Sequence, residues 1–130
     1  MQWKTLGSLV KENTRDDSVT IPKHLFRQLL IAALKSKGVF DEEYYRAFNK
    51  DISDAIVAGN ITCGADHYFE AGYFEGRQPR KLIVDEKYYL EQNPDVARAI
   101  RGGVIENAQQ HFEYCGFKEG RPPYEGFELF

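Results

Sequence analysis

The clearest alternation of hydrophobic and polar positions lies in residues 20–38, TIPKHLFRQLLIAALKSKG. Apolar residues recur there every three or four positions, which predicts one amphipathic helix. They are Leu25, Phe26, Leu29, Leu30, Ala33 and Leu34. Ser18 or Thr20 is expected to cap this helix, and Pro22 suits its first turn. Gly38 supplies the left-handed stop, and core packing is the simplest role for the apolar stripe.

Residues 1–19 contain no element of comparable length. Trp3–Val10 has a helix-like spacing of apolar residues, but a helix this short is marginal by itself. The following KENTRDDS is polar and is interpreted as a linker. We therefore expect a flexible segment with a short helix over residues 1–19, followed by the amphipathic helix over residues 20–39.

The pattern of residues 40–79 returns in residues 84–123 at a constant offset of 44 residues and without a gap. A fixed period of this size indicates a stacked supersecondary unit. Recurring residues expected to secure its structure are Asp41 and Asp85, Asn49 and Asn93, His67 and His111, and Gly72 and Gly116. Such repeats need about three layers for stability, so the helix of residues 20–39 or a second chain is expected to supply a third.

Each copy is predicted to contain three short helices. Asp41 and Asp85 are expected N-caps of the first helix, and Asn49 and Asn93 of the second. The third is expected from about Ile61 to Ala71 and over the equivalent residues of the second copy, ending at Gly72 and Gly116. The predicted fold class is therefore all-α, with an N-terminal helical layer, two stacked three-helix repeats of about 44 residues and a tail over residues 124–130.

Charge and composition restrict the function. The net charge of −3 argues against broad nucleic-acid binding. The sequence contains no run of eighteen apolar residues, so no membrane span is expected. The N-terminus lacks the features of a secretory signal, so a cytoplasmic location is expected. The chain lacks the phosphate-loop, G-x-S-x-G and H-E-x-x-H patterns, and no spacing singles out an acid–base pair. We therefore expect a protein that is not an enzyme and has no cofactor.

Two histidines and two cysteines suggest a metal site. Cys63 precedes His67 by four residues and Cys115 follows His111 by four, so each pair would share a helix face. The cysteines are not at equivalent positions and form no Cys-x-x-Cys pair. A zinc-stabilised regulatory protein is thus a weak alternative to buried histidines hydrogen-bonded to a carbonyl or an acidic side chain.

Arginines and tyrosines are the candidate binding residues. Arg77 and Arg121 suit an anion or carboxylate clamp, although an ion pair with Asp51 and with Asp95, or capping of a helix C-terminus, explains them more simply. Neighbouring helical residues point about 100° apart, so one tyrosine of each Tyr-Tyr pair is core and the other is free to contact a ligand. The remaining contact candidates are Trp3, Tyr44, Tyr88, Phe127 and Phe130.

The unit DEKYYLEQNPDVARAIRGG…HFEYCGFKEGRPP resembles bacterial tandem repeats of the NPDV…HY…G..EGR.P type. Such repeats are found beside glycosyltransferases of surface-polysaccharide assembly and in large calcium-binding surface proteins. The resemblance covers both copies but not residues 1–39, and the first copy departs from it at Lys50 and Ile52. Residues 1–130 include neither a transferase domain nor glycine-aspartate calcium repeats, so neither activity is carried over.

These patterns favour a non-catalytic protein-interaction adaptor or accessory subunit, linked by the resemblance to surface-polysaccharide machinery. Its expected partner is another protein, either a second copy of the chain or a polysaccharide-assembly enzyme. The tail YEGFELF is expected to fold back on the last repeat or to dock on that partner. A carbohydrate-binding module is the alternative, because exposed tyrosine rings can stack on sugars.

Overall fold

The computed structural model describes residues 8–129, so Trp3 and Phe130 lie outside the described residues. Within this range the fold is mainly α-helical, which agrees with the expected class, and it contains one two-stranded sheet in addition. The chain divides into two compact units, residues 1–37 and residues 38–130. None of the helices described is both long and apolar enough to span a bilayer.

The first unit contains a β-hairpin where a linker was expected. Strands β1 (Lys11–Asn13) and β2 (Ser18–Thr20) pair antiparallel, with Lys11 opposite Thr20. The Asn13 side-chain amide donates to the Ser18 hydroxyl at 2.9 Å, and that hydroxyl donates to an Asp16 carboxylate oxygen at 2.7 Å. Asp17 has a φ of 51° in the turn. The linker interpretation was wrong because the polar residues bond one another across the turn.

Helix α1 (Lys23–Ser36) follows the hairpin. The expected caps Ser18 and Thr20 are wrong, because both belong to β2; Pro22 occupies the N-cap position without a side-chain hydrogen bond. Gly38 has a φ of 60°, as a left-handed helix stop requires, which confirms that prediction.

The second unit contains two segments, residues 40–79 and residues 84–123. The first segment contains α2 (Glu42–Phe48), α3 (Lys50–Val57) and α4 (Gly64–His67), which continues into a π-helical turn (Tyr68–Gly72). The second contains α5 (Glu86–Gln92), α6 (Pro94–Arg101) and α7 (Ala108–His111), which continues into a π-helical turn (Phe112–Gly116). In each segment the three α-helices pack against one another.

The first helix of each segment begins as predicted. The Asp41 carboxylate accepts a hydrogen bond from the Tyr44 backbone N–H, and the Asp85 carboxylate does the same for Tyr88, both at 3.0 Å. The Asp41 N–H donates in turn to the carbonyl of Pro79 at 3.0 Å, and the Asp85 N–H to that of Pro123 at 2.9 Å. The end of each segment is thereby tied to its beginning.

The third helix differs from the expected single helix beginning at Ile61. Helix α4 begins only at Gly64, because the Glu42 carboxylate of α2 accepts the N–H groups of Gly64 at 2.7 Å and Ala65 at 2.9 Å. After one α-helical turn the chain widens into the π-helical turn, where Tyr73 N–H donates to the Tyr68 carbonyl at 2.8 Å. The side chains in this stretch therefore do not follow the expected α-helical spacing.

Large aromatic rings form the core of both segments. Tyr45 and Tyr68 in the first segment, and Tyr89 and Phe112 in the second, have no exposed surface. Phe127 of the tail packs against the core of the second segment. The tail therefore folds back on the last segment at this residue, one of the two outcomes expected for it.

Candidate functional site

His67 and His111 bind tyrosine hydroxyls inside their own segments. The Tyr45 hydroxyl lies 3.0 Å from His67 Nδ1, and the Tyr89 hydroxyl lies 2.9 Å from His111 Nδ1. Burial raises the pKa of Tyr89 to about 12. Each pair fixes α2 or α5 to the third helix of its segment. The hydrogen-bond partner is therefore a tyrosine rather than the expected carbonyl or acidic side chain, although Glu75 Oε2 does lie 4.0 Å from His67 Nε2.

Gly72 and Gly116 make room for these hydroxyls. A Cβ atom at Gly72 would overlap the Tyr45 hydroxyl, and a Cβ atom at Gly116 would overlap the Tyr89 hydroxyl. The recurrence of glycine here therefore follows from the close approach of a tyrosine rather than from a positive φ.

Arg77 and Arg121 are held inside their own segments. Arg77 donates to both Asp51 carboxylate oxygens at 3.0 and 2.8 Å and to Glu75 at 2.6 Å. Arg121 makes the equivalent bonds to Asp95, both at 3.0 Å, and to Glu119 at 2.7 Å. These bonds to arginine hold the pKa values of Asp51 and Asp95 below the usual range. The ion-pair interpretation is confirmed, and neither guanidinium is an open clamp.

Asn49 and Asn93 occupy N-cap positions, but their side chains do not cap the helices that follow. The Asn93 side-chain amide donates to the Tyr89 carbonyl at 2.7 Å, and its oxygen accepts from Arg121 at 2.8 Å. Asn49 makes the same bonds to Tyr45, at 2.8 Å, and to Arg77, at 3.0 Å. The capping prediction was wrong in mechanism because the arginine on the returning loop takes the amide oxygen.

Tyr44 is not an exposed stacking platform. It is half-buried, its ring stacks on Phe48 at a centroid distance of 5.4 Å, and its hydroxyl is buried. Burial, with Glu113 and Tyr114 of the other segment nearby, raises the pKa of Tyr44. The equivalent Tyr88 is also half-buried. In the first segment, the tyrosine expected to be free to contact a ligand therefore packs on Phe48, whose ring contacts Tyr114 of the other segment.

A cleft of about 390 Å³ opens where the two segments meet. The Phe48 and Tyr114 rings lie 5.7 Å apart at this contact. The polar lining combines acidic, basic and amide side chains, and Arg77 is the only expected binding residue among the lining residues. Sequence reasoning missed the cleft because it forms only when two segments 44 residues apart are placed side by side.

The apolar stripe of α1 is only partly covered. Leu25 and Leu34 are buried, but Phe26 is 54% exposed and Leu29 is 50% exposed. Ala33, one turn beyond Leu29, is exposed as well. We call Phe26, Leu29 and Ala33 the α1 stripe. The spacing of the hydrophobic residues identified the stripe, but the core role expected for it was wrong at these positions.

The zinc alternative lacks its geometry. Over residues 8–129, no three side chains of histidine, cysteine, aspartate or glutamate are grouped so that they could hold a metal ion. Cys63 and Cys115 are free thiols, and both histidines are already paired through Nδ1 with a tyrosine hydroxyl. The His–Cys pairs therefore do not converge on one site.

Comparison with known proteins finds no family model, no curated protein and no solved structure that matches the chain.

Proposed function

We propose that the chain is a non-catalytic adaptor that binds another protein through the α1 stripe. The observation that carries this proposal is the exposure of Phe26 and Leu29, two large apolar side chains one turn apart on a 14-residue helix. An amphipathic helix with such anchors suits the helix-in-groove mode of recognition.

Charge defines the partner surface. Residues 18–40 contain four basic side chains and no acidic one, so all 20 acidic side chains of the chain lie elsewhere. Lys23 and Lys37 flank the stripe at its two ends. The matching surface is a protein groove with an apolar floor and acidic groups at its ends. The resemblance described above makes a polysaccharide-assembly enzyme the first candidate partner.

The proposal assigns residues 40–123 the role of a scaffold of two stacked helical repeats. The support is that the hydrogen bonds of Asp41, Tyr45, Asn49 and Arg77 have counterparts at the residues 44 positions later. The recurring side chains satisfy one another within each segment. This leaves them with a structural role rather than a binding role.

The test compares affinity capture by the full chain with capture by a Phe26→Ser/Leu29→Ser variant. Val57→Ser is the matched control, because Val57 is 83% exposed and lies outside the stripe. Wild type and control should retain one partner that the double variant loses, and the purified partner should bind the double variant about 100-fold more weakly. Affinity should also fall with added salt.

Three results would contradict this function. The double variant could retain the partner at full affinity. Loss of Phe26 and Leu29 could abolish self-association alone, seen by sedimentation. The helix could bind vesicles of anionic lipid in preference to any protein, which would assign the α1 stripe and its flanking lysines to a membrane surface.

A further inference from the structure

Six of the ten residues that line the cleft between the two segments do not recur in the repeat, whereas Asn49, Glu75, Gly76 and Arg77 do. Phe48 and Gln78 correspond to Gln92 and Pro122 in the second segment, and Tyr114 corresponds to Glu70 in the first. The repeated fold does not require these side chains, since the other segment folds without them. Their combination is thus a property of this one contact.

The cleft combines aromatic rings with polar groups that are already oriented. Phe48, Tyr114 and Phe117 supply the rings. Arg77 and Glu75 are fixed by their mutual bond, and Glu113 is fixed by accepting from the Gln109 amide at 2.8 Å. Groups held in this way lose little side-chain entropy when a ligand binds. The volume lies in the range of about 300–1,000 Å³ that small-molecule sites occupy.

The four charged residues of the lining, Glu75, Arg77, Glu113 and Lys118, carry a net charge of zero, which favours a neutral ligand. Arg77 bonds to the carboxylates of both Asp51 and Glu75, so it has no unmatched positive charge to attract an anion. Glu113 and Lys118 add one negative and one positive charge. Carboxylate oxygens accept hydrogen bonds and the Lys118 ammonium donates them, so a ligand hydroxyl can donate to the former and accept from the latter.

Gln78 adds a second polar feature to the wall. It is only 3% exposed, and its side-chain amide nitrogen donates to the Arg80 carbonyl at 2.8 Å. Its amide oxygen is buried and accepts no hydrogen bond from the described residues. A buried acceptor without a donor is costly, at about 1–3 kcal/mol, but this oxygen has almost no accessible surface, so it is not counted among the ligand contacts.

We propose that this cleft binds a neutral saccharide unit. A pyranose ring presents an apolar face of C–H groups and a rim of hydroxyls that both donate and accept, which matches a lining of aromatic rings and mixed polar groups. The proposal is independent of the α1 stripe, which involves different residues and a different class of partner.

The test is a titration of the ¹⁵N-labelled full chain, followed by NMR, with the methyl glycosides of glucose, galactose and N-acetylglucosamine. At least one sugar should shift the amide signals of Gly76 and Lys118 in a saturable manner. Tyr114→Ser should weaken that binding about fivefold or more. Tyr114 is 71% exposed, so this variant should remain folded. Tyr124→Ser, another exposed tyrosine outside the cleft, should bind as wild type does.

The proposal is overturned if none of the three glycosides shifts the cleft signals. It is equally overturned if Tyr114→Ser and Tyr124→Ser bind alike, which would place the sugar elsewhere. Choline is the charged comparison probe, and binding of choline in place of the sugars would assign the rings and carboxylates to a cation. The Phe26→Ser/Leu29→Ser variant should bind the sugar normally, so failure of the adaptor proposal and failure of this one are distinguishable.

Discussion

Replacing Gly116 with alanine tests whether the recurring residues secure the fold. The added Cβ would overlap the Tyr89 hydroxyl, which lies 2.9 Å from His111 Nδ1. The Tyr89 ring has no exposed surface and is surrounded by the core of its segment, so it has no room to withdraw. The hydroxyl or the π-helical turn must therefore shift.

The cost follows from three contributions. Overpacking a core costs about 1–3 kcal/mol. Displacing the hydroxyl from His111 leaves a buried polar group without its partner, at about 1–3 kcal/mol. The better helical propensity of alanine offsets about 1 kcal/mol. We expect Gly116→Ala to lower the free energy of unfolding by about 2–4 kcal/mol.

Urea unfolding followed by circular dichroism measures this difference. Gly102→Ala is the control, since a Cβ there meets only ordinary contacts with the Arg98 and Ala99 carbonyls; it should stay within about 0.5 kcal/mol of wild type. Tyr89→Phe removes the obstructing hydroxyl. The free energy of unfolding of Gly116→Ala/Tyr89→Phe should therefore be about 1–3 kcal/mol higher than the sum of the two single-variant losses predicts. Additive losses, or an unperturbed Gly116→Ala, would refute the explanation for the glycine.

Three further predictions concern charge and pH. Arg121→Lys should lower the free energy of unfolding by about 1–3 kcal/mol in the same urea assay. Lysine lacks the planar guanidinium group, so the side-chain oxygen of buried Asn93 would lose its donor. An unchanged urea midpoint would contradict this explanation. Burial and the nearby Arg121 lower the pKa of His111, so the folded state binds fewer protons than the unfolded chain, and stability should fall as the pH drops below about 6.5. His111→Gln should reduce that dependence in urea midpoints measured between about pH 7.5 and 5.5, and an equal slope in both proteins would argue against it. Asp51 and Asp95 have lowered pKa values, so a second loss of stability should follow below about pH 4 as they become protonated, visible by circular dichroism and weaker in Asp51→Asn.

Local signals in the sequence were enough to place the first two helices of each segment. Asp41 and Asp85 cap the helices as predicted, and Pro94 occupies the first position of α6. Such features depend on hydrogen bonds to N–H groups within a few residues, so the local sequence determines them.

Features that depend on distant residues were missed. Helix α4 begins at Gly64 because the Glu42 carboxylate, 22 residues earlier, accepts its N–H. No local pattern reports that bond. The α1 stripe illustrates the same limit, because spacing identifies an apolar face, whereas coverage of that face depends on the rest of the molecule.

Within the second unit, positions at which the two segments have the same residue differ in role from positions at which they do not. Where both segments have the same side chain, as at Asn49 and Asn93, the structure pairs it internally, and substitution there should change stability first. Where they differ, as at Phe48 and its counterpart Gln92, the side chain is released from the demands of the fold. Phe48 meets Tyr114 at the cleft, so the positions at which the copies diverge are where selection for a ligand could act without damage to the fold. A substitution that abolishes ligand binding without changing stability should therefore be found among the divergent positions. If such a substitution were found among the recurring positions, the assignment of structure to the recurring residues and of recognition to the divergent ones would be wrong.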